Sequence, residues 1–156
     1  MATNKNTRSE SNKLNELVAK TLEENGYREF LNHKEQVFEN RSHIGSKQYL
    51  RQLPAGKTIY DATRRCDFLV INRKKFPNDL IIECKWQETS GSVDEKYPFL
   101  LRNIEKTAVP TVILIDGGGY RPAALKWLKS QVSPEKYLVG VWNMEEFEIE
   151  VARNFF

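Results

Sequence analysis

Leu80-Ile81-Ile82-Glu83-Cys84-Lys85-Trp86-Gln87 is the stretch that decides how this chain folds. In an extended strand, neighbouring side chains point to opposite faces. Leu80, Ile82, Cys84 and Trp86 then form one apolar face, and Ile81, Glu83, Lys85 and Gln87 form the other. A run this apolar belongs inside a sheet, yet one face carries a carboxylate, an ammonium and an amide in a row. Such groups are costly to bury unless they are paired or bind something. Upstream, Arg65–Asn72 reads as a second strong strand, and Lys74-Lys75-Phe76-Pro77-Asn78-Asp79 between the two is rich in turn formers. The pair predicts a hairpin in which Asp67 approaches Glu83.

Working outward, the apolar spacing of Leu14, Leu17, Val18, Thr21 and Leu22 predicts a helix from about Ser11 to Asn25, with Gly26 as its stop. Residues 1–9 are polar and read as a flexible arm, leaving 10–156 as a single domain. Gln36–Glu39, Gln48–Leu53 and Lys57–Tyr60 are short strand or loop candidates. A helix is expected over Ser92–Lys106, with Ser92 and Glu95 as a capping box and Pro98 as a kink or a true start. Pro110–Asp116 is continuously apolar, as in a strand buried on both faces. Gly117–Gly119 make a tight turn, a helix runs from about Pro122 to Gln131, Tyr137–Trp142 is a strand, and Asn143 caps a last helix through Arg153. Hairpin first and crossover units second give an α/β fold, a mixed central sheet flanked by helices.

The 156 residues suit one domain able to bury a core without staples. No apolar stretch approaches the roughly 18–20 residues that span a bilayer, and the polar N-terminus lacks the apolar core of a signal peptide, so no membrane association and a cytoplasmic location are expected. Cys66 and Cys84 sit between bulky apolar residues of predicted strands and read as buried reduced thiols. His33 and His43 have no ligand pattern around them, which argues against zinc. The net charge of +3 permits a nucleic-acid partner without demanding one. Basic groups cluster at Arg64–Arg65, at Arg73–Lys75, at Lys126 and Lys129, and along Arg41, Lys47 and Arg51.

Two carboxylates converging at 67 and 83 repel each other without a cation. Magnesium is the natural choice, since it takes oxygen ligands, commonly one or two carboxylates with water and substrate phosphate. Such a metal polarises a phosphate and acidifies a bound water. Lys85, on the same face as Glu83, is placed to stabilise developing negative charge, and Gln87, one step further, to fix the water or a phosphate oxygen. The competing reading is a cross-strand ion pair on a solvated face, worth about 0–1 kcal/mol. It fits poorly with a strand too apolar for an edge.

Asp67, then fifteen residues, then Glu83-Cys84-Lys85 on the second arm of an apolar hairpin resembles the core of the PD-(D/E)XK nucleases. Gln87–Lys96 and Ile115–Gly119 are similar to segments of type II restriction-endonuclease-like members, so the likeness runs over about residues 36–142. The resemblance implies a restriction-endonuclease-like fold, a divalent metal (Mg2+, with Mn2+ substituting) and phosphodiester hydrolysis leaving 5′-phosphate ends. It makes Asp67 and Glu83 metal ligands and Lys85 the catalytic lysine. The proline that often precedes the first aspartate is replaced by Cys66. Members often add a glutamate from the first helix. Here Glu16 points away from the apolar side of its helix, and Glu10 has better phase but lies near the end. Lys96, following the expected capping box, reads equally as a lysine that reaches a backbone phosphate and as an ordinary exposed helix lysine. The triple glycine matches neither the dinucleotide fingerprint nor the P-loop.

The expected activity is therefore an endodeoxyribonuclease acting on double-stranded DNA, restriction-type first. A homing, junction-resolving or repair nuclease of the same fold, or an inactive nucleic-acid-binding module, is the alternative. Cutting both strands calls for a symmetric homodimer or higher oligomer, or for a separate recognition subunit.

Overall fold

A computed structural model describes residues 2–88 and 94–156, with side chains from residue 12 onward. Its centre is a six-stranded sheet in sequence order: β1 (Arg28–Glu29), β2 (Gln48–Lys57), β3 (Thr63–Ile71), β4 (Leu80–Trp86), β5 (Thr111–Asp116) and β6 (Leu138–Trp142). β2, β3 and β4 are antiparallel neighbours, while β4, β5 and β6 run parallel. The parallel half follows from its connections, since α2 (Tyr97–Thr107) joins β4 to β5 and α3 (Pro122–Ser130) leads from β5 towards β6. α1 (Ala2–Glu24) precedes the sheet and α4 (Met144–Ala152) follows it.

Alternation along β5 explains the layering. Val112 and Leu114 pack in one cluster with Leu14, Val18 and Leu22 of α1 and Phe147 of α4. Ile113 and Ile115 pack on the other face with Leu101 and Ile104 of α2 and Leu128 of α3. A third cluster, under the segment that carries Val37, Phe38 and Ile44, joins Leu50, Leu69, Ile71 and Ile81. The mixed sheet covered on both sides is the α/β restriction-endonuclease-like arrangement expected, and the hairpin of β3 and β4 is present.

Several boundaries differ from expectation. α1 starts at Ala2, well before Ser11 and inside the stretch expected as an arm, because backbone hydrogen bonding continues where the apolar stripe has ended. Gln36–Glu39 is turn rather than strand, and Val37 and Phe38 serve as a plug for the third cluster. The piece expected at Gln48–Leu53 runs on through Lys57 as one strand, irregular between Pro54 and Lys57, and residues 58–60 of the second piece, expected at Lys57–Tyr60, lie in the turn that follows it. β1 covers only Gln48 and Tyr49 on the outer edge of β2, so Pro54 forfeits no ladder bond there. The expected capping box of α2 involves Ser92, which lies outside the described residues. α2 begins at Tyr97 with Pro98 in its first turn, after a 3-10 turn at Asp94–Lys96. Asn143 caps α4 through a reciprocal capping box with Glu146.

Candidate active site

β3 and β4 pair only from Val70↔Leu80 to Phe68↔Ile82. Beyond that point β4 keeps its parallel ladder with β5 as far as Trp86↔Asp116. The sheet thus forks at Asp67 and Glu83, and the fork lies inside the sheet, not at its edge. Asp67 Oδ2 accepts the Cys84 backbone N–H at 2.7 Å, so a side-chain carboxylate stands where a main-chain carbonyl would continue the ladder. Gln52 Nε2 donates to Asp67 Oδ1 at 3.1 Å. Gln52 itself has φ +49, a left-handed conformation within a strand. Side-chain phase shifts here: Leu50 and Leu53 pack in the same cluster, as do Cys66 and Leu69, although strict alternation separates each pair.

Glu83 is 3% exposed. Its Oε1 accepts from the Arg64 guanidinium at 2.9 Å, and Arg64, 5% exposed, also donates to Thr107 Oγ1. Desolvation raises the Glu83 carboxyl pKa above its ordinary value; the Lys85 and Arg64 charges oppose that rise, and Asp67 adds to it. Burial likewise pushes both thiols up, with the neighbouring carboxylates acting in the same direction, so Cys66 and Cys84 are free, buried and protonated at neutral pH.

Glu83 and the half-buried Lys85 line one recess of about 310 Å³ between the fork and the start of α2, and Lys96 sits on the same wall. Gln87 does not line it. The Gln87 amide donates to Asp94 Oδ1 at 3.0 Å and to Gly119 O at 3.4 Å, and accepts from the Tyr97 hydroxyl at 2.8 Å. Its capacity goes into tying β4 to α2 and to the glycine turn. That turn is tight: Gly119 N–H donates to Gln87 O at 2.7 Å, and a Cβ on Gly117 would lie 2.5 Å from the same oxygen. Glu16 is mostly exposed and paired with Arg51 at 2.7 Å. The side chain of Glu10 lies outside the described residues.

The structure thus brings Glu83 and Lys85 to one recess and sets Asp67 across the fork from them. Arg64 and Gln52 are the residues that the sequence pattern did not single out. Arg64 reads as part of an exposed basic pair with Arg65. The available signal was alternation, which places Arg64 and Cys66 on one face of β3 and leaves Arg65 outward, where it donates to Gln52 O at 3.0 Å.

Two carboxylates, Asp67 and Glu83, are the oxygen donors the fork offers a hard cation, and no group of three or more candidate ligand side chains occurs among the described residues. Each Asp67 oxygen accepts one hydrogen bond, from Gln52 or from the Cys84 amide, and keeps a lone pair, and Glu83 Oε2 stands outside the ion pair with Arg64. No curated protein and no solved structure matches the chain. The family model of the PD-(D/E)XK nuclease superfamily domain matches residues 6–155, starting within the stretch expected as an arm. With that match spanning nearly its whole length, the chain belongs to the PD-(D/E)XK nuclease superfamily.

Proposed function

We propose that this chain is a Mg2+-dependent endodeoxyribonuclease that hydrolyses phosphodiester bonds of double-stranded DNA, with Asp67 and Glu83 as metal ligands and Lys85 as the catalytic lysine. The observation that carries the reading is Glu83: a carboxylate kept almost wholly out of water at a fork inside the sheet, at the wall of a recess it shares with Lys85. Such a placement is costly, and a fold has no structural need for it so close to Asp67. A bound divalent ion supplies electrophilic activation of the phosphate and a water of lowered pKa. Lys85 places its ammonium beside the reacting phosphate, where it favours the charge that builds up there. Asp67 is aimed by Gln52 and the Cys84 amide, and Glu83 by Arg64. Gln87 acts as a positioning residue, because its amide is spent on Asp94, Gly119 and Tyr97.

Double-strand cutting then needs two copies of the site, and a homodimer is the simplest assembly. The test is incubation of supercoiled plasmid with Mg2+, with Mn2+ and with chelator. Nicking or linearisation with metal only is expected, and sequencing the ends gives site, stagger and 5′-phosphate. Lys85→Ala should lower the nicking rate by at least 100-fold while DNA affinity stays within about threefold. Wild-type nicking by this variant would remove Lys85 from the mechanism. Asp67→Asn and Glu83→Gln should shift the metal titration to higher concentration.

A further inference from the structure

The recess beside Glu83 and Lys85 is lined for more than a phosphate. Phe99 and Leu100 of α2 give it an apolar wall, whereas Lys85 and Lys96 bring cations to it. Tyr60, from the loop between β2 and β3, stacks on Phe99 with ring centroids 5.3 Å apart and an interplanar angle of 24°. Tyr60 is 78% exposed, the highest value among the exposed large hydrophobic residues described.

The loop that carries Tyr60 is held in place. Ile59 N–H donates to Asn103 Oδ1 at 3.0 Å, and Lys106 Nζ donates to Thr58 O at 2.9 Å. The Ile59 bond also fixes the Asn103 amide: its oxygen must meet the N–H, so Nδ2 is the end left to donate. Asn103 is 5% exposed and lines the recess. A wall of aromatic and aliphatic carbon, one amide donor and a rim of cations match a nucleobase and the phosphates that flank it. Bases stack on aromatic rings whatever their identity, and every base edge offers an acceptor to an amide donor. At about 310 Å³ the recess stands at the small end of ligand pockets, far too small for a duplex.

We infer that this recess takes one unpaired nucleobase next to the scissile phosphate, with Phe99 as the stacking surface, Tyr60 as the support that holds Phe99, and Asn103 Nδ2 as a base-edge donor. The inference rests on the nuclease reading only for the word scissile; the recess would bind such a base in either case. DNA with a mismatched or bulged base is then preferred over continuous duplex, because the unpairing energy is already spent. The identity of the base matters little, and its presence matters much.

The test is fluorescence anisotropy with the full chain in chelator, so that nothing is cut. Three labelled duplexes of one sequence are compared: fully matched, one unpaired base, and an abasic site at that position. The unpaired-base duplex should bind about 5- to 150-fold more tightly than the other two, the range equivalent to one stacked base. Phe99→Leu, which keeps apolar volume and removes the ring, should erase that preference, and Tyr60→Ala, at an exposed position, should reduce it. Equal affinity for the abasic and unpaired-base duplexes, or a preference that survives Phe99→Leu, overturns the inference. Nicking of matched plasmid with Mg2+ alongside such equality leaves the nuclease reading standing and the base pocket refuted. A preference for the unpaired base without any nicking refutes the nuclease reading and supports the pocket.

Discussion

Replacing Arg64 by methionine removes the guanidinium that neutralises Glu83. Both side chains of this pair are nearly out of solvent, at 5% and 4% exposure, so water does not screen the loss. Removing one partner of a buried pair costs about 3–5 kcal/mol, most of it for the charge left behind. Lys85 also acts on Glu83, which places the figure near the lower end, about 3 kcal/mol. For a chain of this size, about 2–4 °C is lost per kcal/mol, so Tm should fall by roughly 6–12 °C. The double variant Arg64→Met with Glu83→Gln carries no buried charge of its own and should recover most of that loss. The pH dependence follows from the raised Glu83 pKa. A carboxyl whose folded pKa lies above its unfolded value, about 4.5, contributes stability in full below that value and loses it as pH rises through the folded pKa. Without Arg64 that pKa rises further, so the deficit of Arg64→Met relative to wild type should be larger at pH 8 than at pH 5. Urea unfolding at both pH values, with a double-mutant cycle, measures each term. A single variant that costs under about 1 kcal/mol, or a double variant no better than the single, would show that the pair does not hold Glu83.

Gly117→Ala should destabilise by on the order of 1–3 kcal/mol in urea unfolding, because the new Cβ meets the Gln87 carbonyl at 2.5 Å on a backbone with φ +106. Neither Cys66 nor Cys84 should react with a thiol reagent in the native state at pH 7, and both should react once unfolded, since burial holds the thiols protonated. Gln52→Gly should leave the unfolding free energy within about 1 kcal/mol of wild type, as relief of the left-handed strain offsets the lost bond to Asp67. The nicking rate should nevertheless fall, because Asp67 Oδ1 is no longer held.

Periodicity made the parts of this fold with one dominant pattern legible. β4 stands where its alternation puts it, β5 where its continuous apolar run does, and α4 where the Asn143 and Glu146 box opens it. Patterning failed where tertiary contacts took over. Val37 and Phe38 have the composition of a strand, but they are spent as a plug under Ile81 and Leu69. Pro54 and Gly56 look like breakers, yet β2 runs through both because its outer edge there has no strand to satisfy. At the site, Glu83 and Lys85 were readable because charge interrupts an apolar strand. Arg64 was not, because a basic pair next to a turn has the same letters on a solvated face as in a buried ion pair. Gln52 gave no signal at all, since its role depends on a backbone angle that glutamine does not advertise.

That angle bears on why the site lies where it does. Other non-glycine residues with positive φ among those described, such as Asn32, Asp61, Asp79, Ala108 and Tyr137, occupy turns or helix ends, where the chain must reverse or stop. Gln52 adopts it within a strand, where nothing requires a reversal. Across from it the β3–β4 ladder stops at Phe68↔Ile82, Asp67 substitutes for a main-chain acceptor, and Glu83 is buried against its own charge. Each departure costs on the order of 1–3 kcal/mol, and all of them meet around one fork. Fully buried neighbours on both faces, among them Phe68, Ile82, Leu53 and Leu69, hold that fork in shape. A sheet selected only for stability would close the ladder. One that keeps it open, with carboxylates on either side and an ammonium at the recess, spends its stability where chemistry needs fixed charges.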